Sequence, residues 1–271
     1  MPSPPIVLTI AGFDPSSGAG VTADIKTIAA HGCYGVACIT ALTVQSTSGV
    51  RRVEPLSPSF ITETLEELTS DLEIAAVRIG MLGSRAVVKA VAEFVHQRGL
   101  PNLVLDPILK SSSGARLLED GGPAILLEKL LPLASVVTPN REEASALSGQ
   151  PVTNLEEMRA AARKLHAMGA AAVVVTGGDL QKATDLLSFT NKRGVQQEVF
   201  KSDRQASNST HGTGCAFATA MACHLAQDRG LPEAVLLRRP MFPQQSPRLT
   251  PWAAASALSI IYTACTSKGE S

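Results

Sequence analysis

Short apolar runs of strand length alternate with segments of helical period along most of this chain. Residues 6–10, 36–44, 75–79, 103–105, 135–138 and 171–175 are near-continuous hydrophobic stretches rich in β-branched residues. A strand with one wet face alternates polar and apolar positions; these runs do not, so they predict strands covered on both faces, the habit of parallel sheets. Helical patterns lie between them. Residues 21–31 put Val21, Ile25 and Ile28 on one face and stop at Gly32. Ser57-Pro58 reads as an N-cap followed by proline at the first helical position, opening a helix to about Ser70. Ser84 caps a helix to Arg98, Pro123 starts another, residues 142–147 form a short one, and Asn154 caps a longer one over 155–168. Residues 185–189 and 195–201, parted by Asn191-Lys192-Arg193-Gly194, predict a hairpin. The pattern as a whole predicts an α/β fold, a mostly parallel central sheet with helices on both faces, in one domain.

In such sheets ligands bind beyond the carboxyl ends of the strands. Asp14, Gln45, Asp106, Asn140, Thr176 and Asp179 all follow predicted strands. One stretch, residues 207–226, organises the rest. It passes through His211-Gly212-Thr213-Gly214-Cys215 and runs into a small-residue helix. Two glycines let backbone N–H groups converge, and the helix N-terminus adds its positive end, which together suit a phosphate. Cys215 stands at that N-terminus, where a thiol is expected to lose its proton more readily. The plain alternative is a glycine-rich turn before a buried helix, with Cys215 a small core residue. Gly18-Ala19-Gly20-Val21-Thr22-Ala23 also fits a dinucleotide-binding pattern, but the second strand ends in Gln45-Ser46-Thr47-Ser48 without the acid that would hold a ribose.

Composition narrows the partners. Of 271 residues 45% are hydrophobic and 18% charged, enough for a large core. Lys+Arg and Asp+Glu are both 24, and aromatics only 4%, which argues against nucleic acid and anionic membrane surfaces as partners. Five cysteines without a Cys-x-x-Cys pair fit a reducing cytoplasm with no disulfide framework and no zinc site. The first residues lack the basic start and long apolar core of a secretion signal. Cys33, Cys38 and Cys223 read as packing residues; His31, His96, His166 and His224 read as helix-end or surface residues, and His211 as a loop-orienting one.

Several stretches together resemble the hydroxymethylpyrimidine/phosphomethylpyrimidine kinases of thiamine synthesis, within the ribokinase-like superfamily. They are residues 8–20 (Leu-Thr-Ile-Ala-Gly-Phe-Asp-Pro-Ser-Ser-Gly-Ala-Gly), Ala23-Asp24-Ile25-Lys26-Thr27, residues 39–47, Ile79-Gly80-Met81-Leu82, Leu105-Asp106-Pro107, residues 138–144 and His211-Gly212-Thr213-Gly214-Cys215. They occur in order over roughly residues 5–235. The resemblance implies a three-layer α/β/α sandwich and a kinase that uses ATP and Mg²⁺ to phosphorylate a small-molecule pyrimidine, and family habit implies a homodimer. It implies that the Gly212–Cys215 backbone steadies the transferring phosphate and that Cys215 is the proton acceptor. Gln45, Asp24, Gly12, Ala19, Met81 and Ile108 would line the pyrimidine pocket. Asn140, Thr176, Thr210, His211, Gly212, Thr213 and Gly214 would meet ATP. Asp106 and Glu143 would organise Mg²⁺. Plain alternatives are a helix-surface carboxylate for Asp24, a turn residue for Asp106 and an exposed helix charge for Glu143.

Two departures stand out. Family members usually read Val-x-x-Lys-Gly-Gly-His where this chain has Val173-Val174-Val175-Thr176-Gly177-Gly178-Asp179. The missing lysine removes positive charge beside the phosphates unless Lys110 or Lys182 substitutes, and Thr176 leans toward pyridoxal kinases. After Glu233-Ala234-Val235, the run Arg238-Arg239-Pro240-Met241-Phe242-Pro243 breaks the expected helix. Codons for residues 238–264, shifted by one nucleotide, can spell a family-like tail. The expectation is a frame change near residue 237, which resequencing the gene would test. The competing readings are a pyridoxal kinase, a degenerate pyrimidine-binding protein without transfer, and a dinucleotide enzyme lacking its ribose acid.

Overall fold

Successive residues along each central strand enter two different cores. The computed structural model describes residues 3–111, 113–177, 183–202 and 213–237, all within one compact unit. Strands β1 (Ile6–Phe13), β2 (Tyr34–Ser46), β3 (Gly49–Pro55), β4 (Ile74–Ile79), β5 (Leu103–Leu105), β6 (Val136–Val137), β7 (Ala172–Val175), β8 (Ala183–Asn191) and β9 (Gly194–Ser202) make one sheet in the order β3-β2-β1-β4-β5-β6-β7-β8-β9. From β2 to β7 neighbours run parallel; β3 is antiparallel on one edge, and β8 and β9 form an antiparallel hairpin on the other.

Helices α2 (Pro58–Asp71), α3 (Arg85–Arg98), α5 (Arg141–Ser148) and α6 (Leu155–Ala167) cover one face. Ile61, Val91, Leu147 and Leu165 there meet Leu8, Val77, Leu105 and Val173 from the sheet. Helices α1 (Gly20–Ala30), α7 (Thr213–Ala226) and α8 (Leu231–Leu237) cover the other. Ile28, Met221 and Val235 meet Val7, Ala76, Val104 and Val174. This is the three-layer sandwich the apolar runs require, since period-two alternation with both sets buried leaves no wet face. A short helix α4 (Gly122–Ile125) passes into a π turn and a 3₁₀ turn ending at Leu133. Ser57, Ser84, Asn140 and Asn154 each accept a bond from the third residue of their helix, and three of these four caps stand where the chain pattern puts them; Asn140 extends the expected fifth helix by one residue.

Strand β3 lies outside the pattern read from the chain. Its seven residues include exposed Arg51, Arg52 and Glu54 and present no buried face, so they lack an apolar period. Their only strand partner is β2, with Val50 and Val53 resting against Ala41, Met81 and Leu117, and charges on such an edge discourage further pairing. His224 is a helix-end residue, in the last turn of α7, but it is buried rather than on the surface, edge-on against His31 with ring centroids 5.1 Å apart, and burial holds its pKa below the ordinary value. Among the described residues no helix is long and apolar enough to cross a membrane. The C-terminal departure, residues 238–271, lies outside the described residues.

Candidate active site

The chain leaves β1 for β2 on one side and later places β4 on the other. That reversal opens a crevice beyond the carboxyl ends of β1 and β4, the usual ligand site of such sheets. Asp14 shapes its first wall. One carboxylate oxygen accepts bonds from the Ser16 N–H at 2.8 Å and its hydroxyl at 2.7 Å; the other accepts the Ala19 N–H at 2.9 Å. The loop therefore closes tightly, and Gly20, at φ +58, lies so near β1 that a Cβ there would stand 2.2 Å from the Gly12 carbonyl oxygen.

Residues 9, 78 and 106 fall on the same sheet face as Val7, Ala76 and Val104, the face covered by α1 and α7. They are polar, and they meet there. Arg78 is 0% exposed; its Nη1 donates to Asp24 Oδ2 at 3.0 Å and its Nη2 to Asp106 Oδ2 at 2.5 Å. Asp24 also accepts from the hydroxyls of Thr9 (2.6 Å) and Thr219 (2.7 Å). The structure thus corrects both expectations for Asp24: it is neither a helix-surface charge nor open to a substrate, but 0% exposed, with two protein donors on Oδ2 and one on Oδ1. Asp106 likewise is no simple turn residue. Arg78, Thr9 and Thr219 escaped the sequence reading, although an arginine inside Ile74-Ala75-Ala76-Val77-Arg78-Ile79 was a usable signal, because a charge on a buried strand position demands a buried partner.

Cys215 enters this network from the first turn of α7. The nearby Gly20 N–H favours its thiolate, and Cys215 in turn favours the charged form of Asp106. The thiol is not activated in the way a helix N-terminus alone would predict. Burial pushes it up to about 12; Arg78 opposes that, while Asp106 and Asp24 add to it. Desolvation and two neighbouring acids outweigh one arginine and the helix end. Gly214 beside it is exposed, and a Cβ there would face open space.

Glu143 and Asn140 form a reciprocal cap on α5: the Asn140 side chain accepts the Glu143 N–H, and Glu143 Oε2 accepts the Asn140 N–H, both at 2.9 Å. Glu143 is buried rather than an exposed helix charge. Burial, then the nearby Asp106 charge, pushes its carboxyl up to about 8. Asp106 is raised by burial too, against the pull of Arg78. Asn140 pairs with Thr176 across the ends of β6 and β7. Among the described residues no three His, Cys, Asp or Glu side chains stand together as a ready metal cluster.

On the other side of the crevice, a Cβ at Gly12 would meet Met81 Sδ at 2.9 Å. Met81 packs with Ala41 and Leu117, and Ile108 and Val50 lie against them. Gln45, half-buried on β2, lies 3.2 Å from the Thr43 hydroxyl, which donates to the Phe13 carbonyl. Gly12, Met81 and Ile108 therefore share one apolar patch beside the Asp14–Gly20 loop that holds Ala19. Lys110 is exposed and bridges Arg116. Thr210, His211 and Gly212, like Asp179 and Lys182, lie outside the described residues; Thr213 opens α7.

Comparison with known proteins gives the same direction. Residues 14–238 match the family described as phosphomethylpyrimidine kinase. The chain is 43% identical over 218 residues to the hydroxymethylpyrimidine/phosphomethylpyrimidine kinase of Escherichia coli, covering 79% of this chain and 80% of that one. It is 41% identical over 229 residues to the thiamine biosynthesis bifunctional protein of Geobacter sulfurreducens, of which it spans about half the length (46%), and 84% of this chain is covered. It resembles the phosphomethylpyrimidine kinase structure from Clostridium difficile (TM-score 0.76, 35% identity, 86% and 96% of the two chains). It is also similar to Bacillus subtilis pyridoxal kinase solved with ADP (TM-score 0.79, 33% identity, 90% and 95%). The fold is ribokinase-like, and kinases of this kind take ATP as phosphate donor. By sequence over most of its length and by architecture, this chain belongs to the phosphomethylpyrimidine kinase family.

Proposed function

We propose that this chain transfers the γ-phosphoryl group of ATP to the hydroxymethyl oxygen of 4-amino-5-hydroxymethyl-2-methylpyrimidine, and a second one to the resulting monophosphate. The observation that carries the reading is the match of residues 14–238 to the phosphomethylpyrimidine kinase family, joined to the buried Asp24–Arg78–Asp106 network that ties α1, the first turns of α7 and the end of β5 together. The alcohol would lie over Gly12 and Met81, with Gln45 offering amide donor and acceptor to the aminopyrimidine edge. The hydroxymethyl oxygen attacks the γ-phosphorus as the bond to ADP breaks. Its proton passes to the Cys215 sulfur, and the thiol proton to the neighbouring Asp106 carboxylate. A preformed thiolate is not required, because in a loose transition state the hydroxyl keeps its proton until late.

Residues 212–214 would cover the phosphate oxygens with backbone N–H groups. Asp106 and Glu143 fit Mg²⁺, which needs only one or two carboxylates beside the phosphates; their crowded burial, which favours protonation, is what a cation would relieve. Bound there, Mg²⁺ would supply positive charge to the phosphates. Assembly as a homodimer is a further part of this proposal.

A second reading, a pyridoxal kinase, is favoured by the similarity to the Bacillus subtilis enzyme. ADP release should therefore be followed with Mg-ATP alone, with hydroxymethylpyrimidine and with pyridoxal, beside Cys215→Ala. Pyrimidine-dependent release lost in the variant supports the proposal. Release that responds only to pyridoxal moves the assignment to the second reading, and pyrimidine binding without release means a non-transferring protein.

A further inference from the structure

Resting on the kinase reading, we propose that Arg78 is the positioning residue of phosphoryl transfer, holding the Asp106 carboxylate beside Cys215 in reacting geometry. The anchor is Asp24. Its carboxylate is fixed by Thr9 of β1 at 2.6 Å and Thr219 of α7 at 2.7 Å, and the Thr219 hydroxyl also lies 2.8 Å from the Cys215 carbonyl. Arg78 spans from that anchor to Asp106 with two different nitrogens. One guanidinium thereby ties β1, α1 and α7 to Asp106 at the end of β5.

As a device for stability the arrangement is poor. Two acids share one cation, and Arg78 Nε is buried with no hydrogen-bond partner among the described residues. Apolar side chains of similar volume generally replace such buried ion networks without loss. The backbone has also been cleared for it, since a Cβ at Gly80 would stand 2.0 Å from Nη1. An unsaturated charge kept in a core and aimed at the reacting acid is what a positioning role requires.

The test compares Arg78→Met and Arg78→Lys with the unaltered chain, measuring ADP release at saturating Mg-ATP over a range of hydroxymethylpyrimidine. Circular dichroism and thermal melting confirm folding. Arg78→Met should lose about 100-fold or more in kcat, the scale of a misplaced reacting group, with KM for the pyrimidine changed less than about threefold. Arg78→Lys should recover most of that loss, because an ammonium still gives Asp106 a cation. If Arg78→Met does not fold, Arg78→Met with Asp24→Asn removes the unpaired anchor charge while leaving Asp106 unheld, and the same kcat loss is expected. A kcat within about threefold of the unaltered chain, a loss confined to KM, or a lysine variant as inactive as the methionine one overturns the proposal alone. An unaltered chain that releases no ADP with the pyrimidine overturns the kinase reading and this proposal with it.

Discussion

Replacing Gly80 by alanine puts one methyl group where the head of Arg78 lies. The new Cβ would stand 2.0 Å from Nη1, 2.6 Å from Cζ and 2.9 Å from Nη2. A guanidinium on a flexible stem ordinarily swings aside at small cost. This one is held by Asp24 at 3.0 Å and Asp106 at 2.5 Å, so clearing the methyl by more than about 1 Å means giving up one ion pair or both. Breaking a fully buried pair costs about 3–5 kcal/mol, a large share of the roughly 5–15 kcal/mol that holds a domain folded. Urea denaturation at pH 7 of the unaltered chain, Gly80→Ala, Arg78→Met and the double variant closes the cycle. In the methionine background the methyl finds no guanidinium, so its cost should shrink and the coupling reach about 2 kcal/mol or more. Additivity within about 0.5 kcal/mol would refute the reasoning, because it would mean that the methyl and the arginine head do not compete for the same space.

Three further outcomes are expected. Glu143, at about 8 in the folded chain and 4.5 as an ordinary carboxyl, keeps a proton on folding; its contribution is therefore complete below about pH 4.5 and is lost as pH rises toward 8, by about 1.4 kcal/mol per pH unit inside that window. Urea melts of the magnesium-free protein should show Glu143→Gln gaining on the unaltered chain between pH 5 and 8, and a difference independent of pH would contradict this. Gly20→Ala meets a backbone carbonyl at 2.2 Å with φ at +58, so it should cost upwards of about 2 kcal/mol and abolish pyrimidine-dependent turnover, read by thermal melting and ADP release. Asn154→Ala removes a cap remote from the crevice and should lower stability by about 1 kcal/mol with kcat unchanged; a fall in kcat would show that α6 is coupled to the site.

Much of the architecture is local and could be read directly. Strand runs buried on both faces carry their own signature, and helix starts such as Ser84 and Asn154 are short-range hydrogen bonds between neighbours in the chain. Strand β3 was invisible because an edge ribbon with only the Val50 and Val53 side chains half-buried imposes no period-two apolar pattern on its side chains. The loops that line the crevice were legible as polar residues at strand ends; residues 207–212 of the glycine-rich stretch before Cys215 lie outside the described residues.

What the chain determines by itself, then, is the alternation that compels a covered parallel sheet and the polar strand ends that mark its ligand edge. Tertiary structure alone decided how charge is distributed there. Asp24, Arg78, Asp106 and Cys215 are separated by up to 191 positions (215 − 24), and nothing in any local window says that they touch. Their contact reverses a local expectation: a helix N-terminus favours a thiolate, yet burial beside two carboxylates leaves Cys215 protonated. Electrostatic energy in a core depends on separation and on exclusion of water, and both are properties of the packed molecule rather than of the order of its residues.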